Sequence, residues 1–163
     1  MKVKDVMTTP ALSVSEFTDV FHISKLMKEN DVGVIPVCSK NGEIKGVVTD
    51  RDIVLRVLGE GKQTDSVLAR EIMTTQVTTV SPMTDLDDAF LIMSEIKVRR
   101  LPVVENKELV GMLTLGDLSQ SLDYSVEISD ALSELCRGCE KNWLFLENIL
   151  IFNKENVIMM LVF

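Results

Sequence analysis

The chain has 163 residues, 46% hydrophobic and 26% charged, enough apolar side chain for one compact domain or two intimately packed half-domains. A formal net charge of −8 argues against a nucleic-acid binder, because neutralising phosphates requires a basic surface. Cys38, Cys136 and Cys139 are odd in number and lack framework spacing, and the chain opens on charged Lys2, Lys4 and Asp5 instead of a secretory signal, so a cytoplasmic location is expected.

Residues 11–14 read as a short strand. A helix is predicted from about 18 to 29, where Val20, Ile23, Leu26 and Met27 recur at helical spacing. The β-branched run 34–37 is the next strand, Asn41-Gly42 a two-residue turn and 44–49 the return strand. A second helix, about 50–58, stops at Gly59-Glu60-Gly61. After a polar linker, 61–66, the order repeats: strand 77–80, helix 85–96, strands 101–104 and 109–114, helix 115–122. Thr84 with Asp87 three residues on suits a capped helix start. Strands interleaved with helices predict an α/β or α+β fold. The expected divisions are 1–60, linker 61–66, 67–124, and a C-terminal region 125–163 that breaks the pattern. There, 126–135 can continue as an amphipathic helix. Residues 143–163 hold 15 apolar residues in 21, but Glu147, Lys154 and Glu155 leave no run of the ~18 expected of a membrane span. Strands 143–152 and 157–163 would make a hairpin that must pack on the body, join a partner, or stand apart from the module.

The second round copies the first. Asp5-Val6-Met7-Thr8-Thr9 returns as Glu71-Ile72-Met73-Thr74-Thr75, sixty-six positions later. At that offset Val14, Ser15, Thr18, Asp19, Met27, Val32, Pro36 and Val37 meet Val80, Ser81, Thr84, Asp85, Met93, Val98, Pro102 and Val103. After one deletion near the Asn41-Gly42 turn, Glu43, Gly46, Thr49 and Asp52 meet Glu108, Gly111, Thr114 and Asp117. A solenoid needs a shorter unit and more copies, so this is a duplicated small module whose halves should pack face to face. Clefts between such halves are natural ligand sites.

Enzyme chemistry is poorly supplied. Neither phosphate-cradling glycine motif occurs, and His22 is the single histidine, placed within a helical apolar pattern, so neither a triad nor a multi-histidine metal site is expected. Cys136-Arg137-Gly138-Cys139 is a lone C-x-x-C near the end of a predicted helix, without the strand-then-helix setting of a redox motif. A zinc site there would need two more ligands, as from a second chain, so incidental thiols are the expectation and a metal or redox role the last alternative. The better candidates are Thr49-Asp50-Arg51-Asp52 and Thr114-Leu115-Gly116-Asp117, each where a strand runs into a helix. Backbone N–H groups there can receive an anion, the Thr hydroxyl can bond a phosphate oxygen, and an ionised Asp can accept both hydroxyls of a ribose. Thr-x-x-Asp is equally a variant capping box. One copy alone favours the cap; two copies at equivalent strand exits favour the ligand.

The pattern Val-Met-Thr-Thr, then Val32-Gly33-Val34-Ile35-Pro36-Val37, then Gly46-Val47-Val48-Thr49-Asp50-Arg51-Asp52, all given twice, resembles a tandem pair of CBS domains, the Bateman module. The resemblance spans about residues 3–122 and does not reach the tail. It implies a βαββα unit in each half, packed about a pseudo-twofold axis, and association into a disc-shaped homodimer. It also implies an adenosine-containing ligand (AMP, ADP, ATP, S-adenosylmethionine, sometimes NADH or dinucleotides) whose binding is relayed to an effector.

Carried onto this chain, the resemblance implies two sites. One joins Thr49, Arg51 and Asp52 to Thr75, Val77, Val98, Arg99 and Arg100. The other joins Thr114 and Asp117 to Thr9, Ala11, Val32, Gly33 and Val34. In each, the Asp would hold the ribose, the Thr approach the phosphate and the aliphatic side chains sandwich the base. The first gathers three arginines; the second has Gly116, Gly33 and Val34 at the matching places. Phosphorylated ligands are therefore expected in the first, and a weaker, less charged ligand or none in the second. The function expected is a non-catalytic regulatory sensor with no required cofactor or metal, no nucleic acid or membrane partner, and a protein effector. The alternatives are a structural or protein-interaction homodimer without ligand, and a regulator in trans of an enzyme such as an inosine-monophosphate dehydrogenase.

Overall fold

The computed structural model describes residues 1–121, and the side chains to residue 119; all fall in one compact unit, Met1–Asp123. The expectations for 126–135, 143–163, Cys136 and Cys139 lie outside the described residues. Strand β1 (Val14–Ser15) is followed by α1 (Val20–Asn30), β2 (Val34–Cys38), β3 (Ile44–Thr49) and α2 (Asp50–Ile53). After α3 (Ala69–Ile72) come α4 (Leu86–Ile96), β4 (Arg100–Glu105), β5 (Glu108–Thr114) and α5 (Leu115–Ser121). The fold is mixed α+β, as predicted.

In the first half β1 runs parallel to β2, and β2 antiparallel to β3. In the second, β4 and β5 pair antiparallel, and the strand predicted at 77–80 shrinks to one parallel bridge between Val80 and Val103. Helices α1 and α4 lie at equivalent places and bury equivalent stripes, Val20, Ile23 and Met27 in one and Leu86, Ala89, Phe90 and Met93 in the other. Both end on a left-handed residue, Asp31 and Lys97, where the chain must turn sharply out of the helix. The predicted helix 50–58 is not uniform: beyond Ile53 it widens into a π-helix, Val54–Leu58, with Gly59 N–H bonded to the Val54 carbonyl. The predicted Thr84 cap does not form. Asp85 is the N-cap of α4, and the Thr84 hydroxyl oxygen accepts from Ser81 N–H instead (3.1 Å).

The halves exchange their leading segments. Val67, Ala69 and Ile72, which open the second repeat in sequence, belong to the hydrophobic core of the first, together with Val20, Ile23, Val37 and Val48. Backbone bonds fix the exchange: Val20 N–H to Val67 O (2.9 Å), Ala69 N–H to Thr18 O (2.8 Å), and a two-way bridge between Thr74 and Val47 (2.9 and 3.0 Å). The N-terminus does the same to the second half. Leu86 N–H meets Met1 O (3.2 Å), Val3 N–H meets Thr84 O (2.9 Å), and Thr8 bridges Met112 (2.9 and 3.0 Å). Val3 is fully buried there, and Lys2 pairs with Asp85 at 2.8 Å. Each buried Val or Ile stabilises by ~1.5–3 kcal/mol, so each half is incomplete without its neighbour's leader.

Two glycines make room for the exchange. A Cβ at Gly46 would lie 2.8 Å from the Thr74 carbonyl oxygen and 2.8 Å from Met73 Sδ; at Gly111 it would meet Met7 Sδ at 2.7 Å and Thr8 O at 3.0 Å. The repeated Met-Thr pairs and the repeated glycines are thus the two sides of one contact. Cys38 ends β2 inside the core, where burial pushes its thiol above the ordinary value despite a hydrogen bond with Ser13.

Gly46→Ala is expected to destabilise the protein by about 1–3 kcal/mol, because the obstructing atoms include backbone; urea denaturation reads this directly. Gly116→Ala, whose nearest neighbour would be Thr114 Oγ1 at 3.5 Å, should be close to neutral. Asp19 caps α1 by accepting His22 N–H (2.9 Å) and also bonds the His22 ring, and these contacts, the backbone one first, hold its carboxyl below the ordinary range. A lowered folded value means the cap contributes fully above the ordinary carboxylate range and is lost as pH falls through it. Asp19→Ala should therefore cost about 1 kcal/mol at neutral pH, and the gap from wild type should close in acid melts.

Candidate functional site

Thr49 is the last residue of β3 and the N-cap of α2, so extended backbone gives way to helix at the residue that carries the hydroxyl. Thr49 N–H and Oγ1–H both donate to Asp52 Oδ2 (2.9 and 2.7 Å), and Asp52 N–H returns a bond to Thr49 Oγ1 (3.1 Å). Thr114 and Asp117 reproduce the box at 2.7, 2.8 and 3.2 Å. The capping function is therefore formed in both repeats. Duplication does not discriminate against it, since a cap is copied along with its helix. What the box adds is a fixed carboxylate: Asp52 is held by two donors from one residue, and its side chain stays 13% exposed.

A cleft of about 650 Å³ opens beside this box. Thr49, Asp50, Arg51 and Asp52 line it from the β3–α2 junction, and Thr74, Gln76, Val77 and Thr78 from the leader exchanged onto β3. Lys97, Val98, Arg99 and Arg100 line it from the α4–β4 junction. The wall includes both members of the repeat-related pairs Gly33 and Arg99, Val34 and Arg100, and Val47 and Met112, so it lies where the two halves meet.

Seven of the eight residues expected at the first site, Thr49, Arg51, Asp52, Val77, Val98, Arg99 and Arg100, lie on this wall; Thr75 does not, although Thr74 and Gln76 on either side do. Gly33 and Val34, expected at the second site, are found here too. The remaining second-site residues lie elsewhere. Thr9 Oγ1 donates to the Val110 carbonyl (3.0 Å), Val32 packs on the first core, Ala11 is half-buried, and Thr114 and Asp117 form their own box. Asp50 and Lys97 were missed by sequence reasoning. Asp50 was legible only as part of the Thr-x-x-Asp string, and Lys97 only as a residue following a helix.

The helix start does not offer the free N–H groups expected of it. Asp50 N–H bonds the Gly33 carbonyl (3.1 Å), Arg51 N–H bonds Asp50 Oδ1 (2.7 Å), and Asp52 N–H is taken by Thr49. The single hydroxyl proton of Thr49 is likewise committed to Asp52. Charge is supplied by side chains. Among the described residues neither Arg51 nor Arg100 has a carboxylate within ion-pair distance, and both are exposed. A Cβ added at Gly33 would stand 2.9 Å from Asp50 Oδ2 and 3.7 Å from Arg100 Nη1, so the bare backbone of Gly33 lets these two charged groups draw near the cleft.

A family model for the CBS domain matches residues 3–59 and again 69–124. The chain belongs to the CBS-domain family. It is 37% identical over 133 residues to the CBS domain-containing protein YhcV of Bacillus subtilis, spanning 82% of this chain and 94% of that one. Among solved structures it is similar to Hypoxic Response Protein I with two coordinated zinc ions, at a TM-score of 0.70 and 28% identity over 76% of this chain and all of that one. It is also similar to the CBS domain pair of protein MJ0100 in complex with 5′-methylthioadenosine and S-adenosyl-L-methionine, at a TM-score of 0.66 and 26% identity, over 74% of this chain and 94% of that one. The chain thus carries two CBS domains in tandem. No group of three or more His, Cys, Asp or Glu side chains stands ready for a metal among the described residues, and no helix there is long and apolar enough to cross a membrane.

Proposed function

We propose that this CBS pair is a non-catalytic sensor that binds an adenosine-containing ligand in the cleft beside Asp52. One observation carries the reading: Arg51 and Arg100, without carboxylate partners among the described residues, share a wall with the fixed carboxylate of Asp52 and the aliphatic Val77 and Val98. A phosphorylated nucleoside needs those three surfaces together. In this arrangement Asp52 accepts the ribose hydroxyls, the guanidiniums hold the phosphate through charge-assisted bonds, and the valines flank the base. Thr49 orients Asp52 and does not itself donate to phosphate. The complex of the similar MJ0100 pair with methylthioadenosine and S-adenosylmethionine supports the ligand class.

The second site, Thr114 and Asp117 with Thr9, Ala11 and Val32, would take a less charged ligand or none, because Gly116 stands where the first has Arg51. The pair acts as a cytoplasmic homodimer that hands occupancy to a protein effector. Exposed apolar side chains on one half, Phe21, Val54, Leu55 and Leu58, suit self-association. They also favour the second reading, a protein-interaction dimer that takes no ligand.

Asp52→Ala removes a charged acceptor worth ~1.5–3 kcal/mol, so AMP affinity by calorimetry should fall roughly ten- to a hundredfold, while Asp117→Ala leaves it nearly unchanged. AMP binding unaltered in Asp52→Ala refutes the site, and equal losses in both variants refute the asymmetry. If none of AMP, ADP, ATP or S-adenosylmethionine raises the melting temperature, the ligand-free dimer is the better account, since saturation at a hundred times Kd should stabilise by about 2.7 kcal/mol.

A further inference from the structure

Arg56 lies one turn beyond Asp52, at the point where α2 has widened into the π-helix. Its Nη2 stands 3.3 Å from Asp52 Oδ1, the oxygen the capping box leaves open, and its Nη1 donates to the carbonyl of Ile72. Ile72 ends α3 in the exchanged leader, two residues before Thr74, which bridges Val47 and lines the cleft. One guanidinium thus joins the proposed ribose acceptor to the segment that forms the opposite wall. Its planar fork suits two acceptors at once, which a lysine could not hold in the same geometry. Thr49 fixes Asp52 Oδ2 and Arg56 fixes Oδ1, so the carboxylate cannot rotate about its terminal bond without losing a partner. The repeat-related position in the second half is Ser121, so the primary sequence supplies no guanidinium there.

We infer that Arg56 is a positioning residue: it sets the plane of the Asp52 carboxylate for a cis-diol and ties that plane to the Ile72–Thr74 leader. The inference rests on the proposed role of Asp52 and deepens it. Arg56 touches no ligand in this arrangement, so its loss should act only on the part of binding that passes through the diol. A defect that merely loosened the fold would weaken all ligands of the cleft alike.

The test compares AMP with 2′-deoxyadenosine monophosphate by calorimetry on the full chain. Wild type is expected to favour AMP by roughly tenfold or more, the loss of one hydrogen bond to a charged group. Arg56→Met should weaken AMP by a similar factor, weaken the deoxy ligand, which keeps only the 3′-hydroxyl for Asp52, by clearly less, and so lower the ratio. Arg56→Gln keeps a polar side chain in case the methionine variant does not fold, and is read in the same way. In Asp52→Ala the further change Arg56→Met should alter AMP affinity little, because the carboxylate it orients is gone. If wild type discriminates and the Arg56 variants discriminate equally well, the positioning role is overturned while the Asp52 assignment stands. A wild type indifferent to the 2′-hydroxyl overturns the diol assignment and the positioning role together.

Discussion

The close approach of Thr74 to Gly46, and of Thr8 to Gly111, is the contact on which the rest of the molecule depends. A strand edge with unpaired N–H and C=O groups must find partners, and each β-hairpin here finds them in the leader of the other repeat. The approach is possible only because the hairpin carries glycine where any side chain would strike a carbonyl oxygen. Once the leaders are exchanged, Val67, Ala69 and Ile72 complete one core and Val3 helps complete the other, so neither half is a separate hydrophobic unit. The same exchange carries residues 74–78 across from Thr49 and Asp52 and so creates the cleft. Stability and site have one origin.

The fold was largely legible in the sequence because its signals are local and doubled. Helical spacing at Val20, Ile23 and Met27, the Asn41-Gly42 turn and the run into Thr49 each dictate their own element. The exchange was not legible. Identical residues in two repeats reveal that positions are equivalent, but not whether Met73 packs on its own repeat or on the other. The agreement of Met7 with Met73 and of Gly46 with Gly111 marks the repeat without saying what keeps these residues, which are the two faces of a packing contact. The π-turn after Ile53 was hidden for a related reason, since π and α winding present almost the same apolar pattern over five residues.

For the site, residue types were legible and their hydrogen-bond state was not. Thr49 and Asp52 line one cleft with Arg51, Arg99 and Arg100, a grouping that only the family resemblance suggested. Yet the backbone donors of α2 are spent on Gly33, Asp50 and Thr49: the last belongs to the capping box, the second is Arg51's own neighbour, and only the bond from Asp50 to Gly33 reaches a segment distant in sequence. Sequence can show that a helix begins; only coordinates show whether its first N–H groups are already occupied. In the proposed site any anion would therefore be held by guanidinium and not by backbone, which makes the difference between Arg51 and Gly116 more consequential than the likeness of the two boxes.

The most direct measurement is a crystal structure of the protein with AMP. The account predicts one nucleotide per chain in the cleft between residues 49–52 and 97–100, its ribose hydroxyls on Asp52 and its phosphate against Arg51 or Arg100. A nucleotide bound only beside Thr114 and Asp117, or one whose ribose lies away from Asp52, would contradict it.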